Sequence, residues 1–177
     1  MTYTQHYDSP LGGILLAADE EGLTGLWFDG QKYFARTLPK EYAESETPVL
    51  CEAKRWLDIY FSGREPDFTP PLHPEGSAFQ QVVWALLLEI PYGETTTYGT
   101  LARKLAEKQG LTHMSAQAVG GAVGHNDISL IIPCHRVVGA NGSLTGYAGS
   151  VDKKIKLLEL ERADMKSFFV PKKGTAL

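Results

Sequence analysis

The chain has 177 residues, 43% of them hydrophobic, and carries 17 Lys and Arg against 21 Asp and Glu for a net charge of −4. That length holds one large domain or two small ones, and the apolar fraction is enough for a buried core. No apolar run reaches the roughly 18 residues of a membrane span, and the N-terminus lacks the basic start and apolar stretch of a signal peptide, so a cytoplasmic protein without a membrane partner is expected.

In chain order, Thr2–Tyr7 alternates as a strand does, Ser9-Pro10-Leu11-Gly12-Gly13 forms a turn, and Ile14–Ala18 is an apolar run. Asp19-Glu20-Glu21-Gly22 breaks that run before Leu23–Phe28, so a hairpin is predicted. A helix starts at Thr47-Pro48, with Thr as N-cap and Pro at the first helical position. Leu50, Ala53, Leu57 and Tyr60 supply its apolar stripe, and Gly63 stops it. Residues 64–76 hold Pro66, Pro70, Pro71, Pro74 and Gly76, a linker pattern. Charge changes at the same place: residues 1–76 hold 6 Lys and Arg against 13 Asp and Glu, a balance of −7, and residues 77–177 hold 11 against 8, a balance of +3. The asymmetry hints that the second half alone faces a polyanion, although composition alone favours the plainer reading of an acidic solubilising half beside a neutral one.

Ser77-Ala78-Phe79-Gln80 is a capping-box pattern opening a helix with Phe79, Val82, Val83, Leu86 and Leu87 inward. Pro91-Tyr92-Gly93 ends it. A second helix runs from about Thr97 to Lys108, stopped by Gly110, and a third from about Ser115 to Gly124; together they make a helix-turn-helix. A last helix near Asp152–Arg162 places Ile155 and Leu158 inward, with Lys153, Lys154 and Lys156 on its exposed face. Phe168–Leu177 carries no readable pattern. The fold class is α+β: an N-terminal β-sheet domain with a helix over residues 1–72, then a mainly helical domain with the helix-turn-helix over residues 77–165.

Only two cysteines are present, Cys51 and Cys134. They make no disulfide framework and no zinc spacing, and His6, Cys51 and His73 are too scattered to count as a site, so no metal and no cofactor is expected. Ile131-Ile132-Pro133-Cys134-His135-Arg136-Val137-Val138 is the most informative stretch. A cysteine between apolar runs reads first as a small buried hydrophobe. Pro, His and Arg around it fit pure packing poorly, and a nearby imidazole or guanidinium raises the thiolate fraction of a thiol. Neighbouring side chains on an extended strand point to opposite faces. For His135 to act on Cys134, either the chain turns there or a water bridges the two. A thiol protease draws its histidine from a distant segment, and no resolving cysteine supports a redox role. The third helix is thin, with Ala116, Ala118, Gly120, Gly121 and Ala122; each interior glycine costs about 1 kcal/mol against alanine. Tight helix packing inside the protein or a narrow groove of nucleic acid each account for that cost.

Pro133-Cys134-His135-Arg136-Val137, preceded by Ala118-Val119-Gly120-Gly121-Ala122 and Asn126 and followed by Gly146-Tyr147 and a helix ending in Glu161, resembles the O6-alkylguanine-DNA alkyltransferases. The resemblance covers residues 77–162 closely and implies a ribonuclease-H-like N-terminal support domain. It implies that Cys134 accepts the alkyl group, and that His135 acts through a water as its base, oriented by Glu161. Asn126 braces the turn, and Tyr98 lies by an extruded nucleotide. Tyr147, Val137 and Ala148 line the pocket, the carbonyls of Cys134 and Val137 meeting the guanine amino group. Gln117, Ala118, Gly120, Gly121, Ala122 and Arg136 face DNA, with the third helix in the minor groove. The implied partner is double-stranded DNA containing O6-alkylguanine, bound by a monomer. Two departures stand out. Gln117 sits where the family commonly has an arginine that fills the gap left by the flipped base, and the connection Gly110–Met114 is longer than in many relatives.

Overall fold

The computed structural model describes residues 1–171 in two compact units, Met1–Gly76 with Asp127–Ile131, and Ser77–Asn126 with Ile132 onward. Residues 172–177 of the patternless tail lie outside the described residues.

In the first unit β1 (Tyr3–Ser9), β2 (Gly12–Ala18) and β3 (Leu23–Phe28) pair antiparallel in succession, as the turn residues and apolar runs lead one to expect. A two-residue strand, β4 (Ala43–Glu44), adds parallel to β1, giving the order β3-β2-β1-β4. Ile14–Ala18 is buried throughout because β2 is central and both its faces are covered. Leu15 pairs with Trp27 across the sheet, and with Ala17 they pack on Ala35 and Leu38. The helix α1 (Pro48–Phe61) begins where the sequence places it, its Thr47 side chain accepting from the Leu50 N–H. It buries Leu50, Ala53, Trp56, Leu57 and Tyr60.

The edge of β3 is closed by two separate pieces of chain. Leu23 bonds to the Pro71 carbonyl at 2.8 Å and accepts from His73 N–H at 2.8 Å, so part of the proline-rich stretch expected as a linker is bound to the sheet. Leu26 does the same with Asp127 and Ser129. Residues 127–131 therefore cluster with the first unit, not with the 77–165 stretch in which the sequence pattern includes them. Covering an edge in this way removes a row of unpaired backbone groups. Asp127 is anchored further by Trp27 Nε1 at 3.2 Å and by Arg36 Nη2 at 2.5 Å.

The second unit is built on α2 (Ala78–Leu87), α3 (Tyr98–Lys108), α4 (Ala116–Gly124) and α5 (Val151–Leu160). Ser77, Thr97, Ser115 and Ser150 each cap the N-terminus of one helix by accepting a backbone N–H. In α2 the inward set differs from the expected one. Val82 is 36% exposed, and Trp84 is buried in its place with Nε1 donating to the Ala122 carbonyl at 2.9 Å. In α5 the difference is larger: Lys154, expected on the outer face, is 0% exposed beside Leu157 and Leu158, while Ile155 is half-buried. Two short strands, β5 (Thr96–Thr97) and β6 (Val137–Val138), pair in parallel, Thr97 opposite Val138. The chain thus combines a sheet-based unit with a mainly helical one, an α+β protein. No helix of the described residues is long and apolar enough to cross a membrane.

Candidate active site

The local chain around Cys134 is a pair of tight turns. Pro133 has φ −82° and ψ 65°, and the Cys134 N–H bonds back to the Ile132 carbonyl at 2.8 Å, which is an inverse γ-turn. Proline holds that φ without cost. A single 3-10 turn, Cys134–Arg136, follows. Asn126 Nδ2 donates to the same Ile132 carbonyl at 2.8 Å. Of the two options left open by the sequence, the chain does turn at Cys134.

The turn lets consecutive side chains reach one carboxylate. His135 Nε2 meets Glu161 Oε2 at 2.6 Å, and Arg136 Nε donates to Glu161 Oε1 at 2.8 Å. The Gly93 N–H donates to the same Oε1 at 3.1 Å, from a residue with φ +80° that glycine adopts without strain. Burial works to raise the Glu161 carboxyl, but the bonds and charges of His135 and Arg136 outweigh it and hold it far below the usual carboxylate range. Burial pushes the His135 imidazole down, and Glu161 only partly opposes this. With the Arg136 guanidinium already balancing Glu161, a second cation at His135 would be in excess, so the imidazole is neutral at pH 7. Its Nε2–H then points at Glu161, and Nδ1 is the basic nitrogen.

Cys134 is 7% exposed. Burial raises its thiol above the ordinary value; a hydrogen bond from Asn126, the charge of Lys154 and the N–H groups of Cys134 and His135 pull it back. The sulfur is therefore enclosed yet surrounded by donors, unlike a packing cysteine in an apolar core. Tyr98 stands at the first position of α3, directly after Thr97, and the β5–β6 pairing brings that helix start to the strand that follows Cys134. Burial, then the charge of Cys134, push the Tyr98 phenol up to about 12, against a hydrogen bond with Thr145. Tyr147 is buried with its ring edge-on to His135, centroids 6.4 Å apart. Ala148 is half-buried in the next position.

On α4, Gln117, Ala118 and Gly121 are exposed. A Cβ added at Gly121 would meet nothing within 4 Å, and one at Gly120 would sit 3.7 Å from the Tyr98 ring, an ordinary contact. Packing inside the protein does not require either glycine. Two residues expected to face DNA are buried in this structure. Ala122 is 4% exposed and turned inward on Trp84, and Arg136 is 8% exposed, committed to Glu161, to the Ile90 carbonyl at 2.8 Å and to the Tyr92 ring. An arginine beside Cys134 invites an external role, but its partners lie 25 and 46 residues away in sequence.

Lys154 was missed by the sequence pattern. It shares a helix stripe with Leu157, Leu158 and Glu161, and that spacing was the available signal. Among the described residues no group of His, Cys, Asp and Glu is arranged to hold a metal ion.

Comparison with known proteins gives one consistent answer. Residues 2–74 match the family model of the 6-O-methylguanine DNA methyltransferase ribonuclease-like domain, and residues 78–163 that of its DNA binding domain. A methylated-DNA–protein-cysteine methyltransferase of Methanosarcina acetivorans is 46% identical over 160 residues, covering 90% of this chain and 97% of its own. One from Haemophilus influenzae is 42% identical, covering 90% of this chain and 86% of its own. The crystal structure of the Mycobacterium tuberculosis OGT in complex with DNA superposes with a TM-score of 0.77 at 41% identity, covering 91% of this chain and 94% of that one. The chain belongs to the methylated-DNA–protein-cysteine methyltransferase family.

Proposed function

We propose that this protein reverses alkylation damage in DNA by taking the alkyl group of O6-alkylguanine onto the sulfur of Cys134, once per molecule. The observation that carries this reading is an enclosed thiol ringed by hydrogen-bond donors, followed in the same turn by His135, whose imidazole Glu161 holds in place.

The thiol proton passes to His135 through a water, and the resulting imidazolium is stabilised by Glu161. The sulfur attacks the alkyl carbon, an S–C bond forms, and the C–O6 bond breaks. Its electron pair stays on the purine, where Tyr98 donates a hydrogen bond to the developing charge. The target carbon is out of reach inside a duplex, so the nucleotide is flipped out of the stack. Tyr147, Ala148 and Val137 line the pocket that takes it, and Asn126 keeps the turn rigid. The exposed face of α4 with Gln117, Ala118 and Gly121, and Gly120 beside Tyr98, enters the minor groove. The product thioether is stable, so the protein is a stoichiometric reagent. It needs no cofactor and works as a cytoplasmic monomer on double-stranded DNA.

The test is an intact-mass measurement after mixing with a duplex carrying O6-methylguanine. A gain of one CH2 group mapped to Cys134 is expected. Tight binding with unchanged mass would instead make the protein a non-catalytic lesion binder and overturn the proposal. A duplex with O4-alkylthymine, run alongside, extends or limits the substrate range.

A further inference from the structure

At Glu161 the helix α5 closes in a Schellman turn, the Arg162 N–H bonding to the Glu159 carbonyl at 2.9 Å and the Ala163 N–H to the Leu158 carbonyl at 3.0 Å. Arg162 takes φ +59° there, a left-handed backbone that glycine usually supplies. The segment 163–170, much of it past the end of the domain expected from the sequence, then runs back over residues 139–144. The Phe169 N–H donates to the Gly142 carbonyl at 3.1 Å, and the Leu144 N–H to the Phe169 carbonyl at 2.8 Å. Met165 and Phe168 pack against the buried cluster of Val138, Leu144 and Leu158. Gly142, at φ +88°, admits this approach, since a Cβ there would stand 2.3 Å from the Ser167 carbonyl oxygen.

These contacts close a circuit around the pocket wall. The segment leaves the C-terminal end of α5 directly after Glu161 and lands on Gly142–Leu144, just before Tyr147. Ser150, just after Tyr147 and Ala148, caps the N-terminal end of the same helix. Between the landing point and the cap the backbone carries φ +69° at Gly146 and φ +110° at Ser150. A non-glycine residue at such an angle persists only where its surroundings over-determine it. Within the stretch the Thr145 carbonyl is held by Lys154 at 2.7 Å. We infer that residues 163–170 are a strap that fixes the position of Tyr147 and Ala148 and so sets how large an alkyl group the pocket beside Cys134 admits. The inference rests on the functional reading above. With the strap docked, the wall is tied at both ends and a group larger than the pocket is refused. Released from Gly142 and Leu144, the wall is held from the α5 side alone and gives way to a larger group.

The experiment compares Phe169→Pro with Phe169→Ala. Phe169 is 49% exposed, so both variants lose a ring that packs little, and only proline also loses the N–H that binds Gly142. Each protein is mixed with the free bases O6-methylguanine and O6-benzylguanine, and transfer to Cys134 is followed by mass. The ratio of the two rates does not depend on the folded fraction, so a loss of stability alone leaves it unchanged. Phe169→Pro should raise the benzyl-to-methyl ratio about tenfold, the low end of what one methylene of misfit does to a pocket's discrimination. Phe169→Ala should keep the ratio of the parent. Equal ratios in all three proteins, or the same shift in both variants, overturn the inference. Should Phe169→Pro fail to fold, hydrogen exchange of the unaltered protein decides. The Leu144, Phe169 and Ser150 amides should open together with one free energy, and a Ser150 amide that opens independently of the other two overturns the inference equally. If the parent takes no alkyl group from either base or from lesion duplex, the repair reading fails, and the exchange measurement still decides whether strap and pocket wall move as one. Failure of the strap would leave the mass gain on lesion duplex intact.

Discussion

His135 and Glu161 meet at 2.6 Å with both side chains sealed from solvent, and the same carboxylate takes Arg136 through its other oxygen. One negative charge thus serves two bases, of which only the guanidinium is permanently charged. Replacing Glu161 by Gln keeps an acceptor for Arg136 but removes the charge. Arg136 is then a buried cation without its anion, a loss of about 3–5 kcal/mol. Urea denaturation should show that loss, and transfer from O6-methylguanine duplex should slow at least about tenfold in the folded fraction, because imidazolium is no longer stabilised. A variant as stable and as fast as the parent would show that the ion pair is idle.

Acid should weaken the fold in two stages. The His135 imidazole is held below its ordinary 6.5 by burial, so the unfolded chain binds more protons there and stability falls as pH drops below about 6.5. The Glu161 carboxyl is held far below its ordinary 4.5, so the stability it contributes is complete above that value and is lost as pH falls further. Urea midpoints measured from pH 8 to pH 3 should decline gently and then steeply. If His135 were charged in the fold at neutrality, stability would instead rise between pH 7 and pH 6.

Local features of this fold are legible in the sequence because they are made by residues three or four apart. Thr47, Ser77, Thr97 and Ser115 cap helices by reaching the third N–H onward, and the stripe of α1 repeats at helical spacing. What is hidden is non-local. The parallel β4 and the two pieces closing the edge of β3 carry no pattern of their own. Trp84 turns inward because its indole N–H finds the Ala122 carbonyl 38 residues away. At the site, the segment around Cys134 stands out by composition, whereas the burial of Arg136 and Lys154 is hidden for one shared reason. A charge is assigned to the surface by default, and only the distant carboxylate or carbonyls that receive it say otherwise.

Tyr98 is expected to act as a donor throughout the useful pH range, since burial and the neighbouring thiol push its phenol up to about 12. Tyr98→Phe keeps the ring that Gly120 packs against and removes only the hydroxyl. Loss of one donor aimed at developing charge slows a reaction by about a hundredfold. Single-turnover rates on lesion duplex should fall to that extent with the melting temperature nearly unchanged. An unaltered rate would remove Tyr98 from the chemistry.

Gly121 offers a separation of stability from function. Nothing lies within 4 Å of a Cβ added there, so Gly121→Ala should stabilise α4 by up to about 1 kcal/mol through helix propensity alone. The same methyl group would stand on the face assigned to the minor groove, and duplex affinity should drop severalfold. A variant that is both more stable and equally tight on DNA would show that the glycine serves no groove.

Gln117 lies exposed in the first turn of α4, where an arginine can be introduced without displacing any buried group. A cation near a helix N-terminus costs only about 0.3–1 kcal/mol. If glutamine fills the space of an everted base but holds the orphaned partner weakly, flipping limits the reaction and the chemistry does not. Gln117→Arg should then react severalfold faster with lesion duplex and no faster with the free base O6-methylguanine, which needs no flipping. Faster reaction with both would place the effect on the thiol, and an unchanged or slower duplex rate would show that the helix already everts the nucleotide as well with an amide as with a guanidinium.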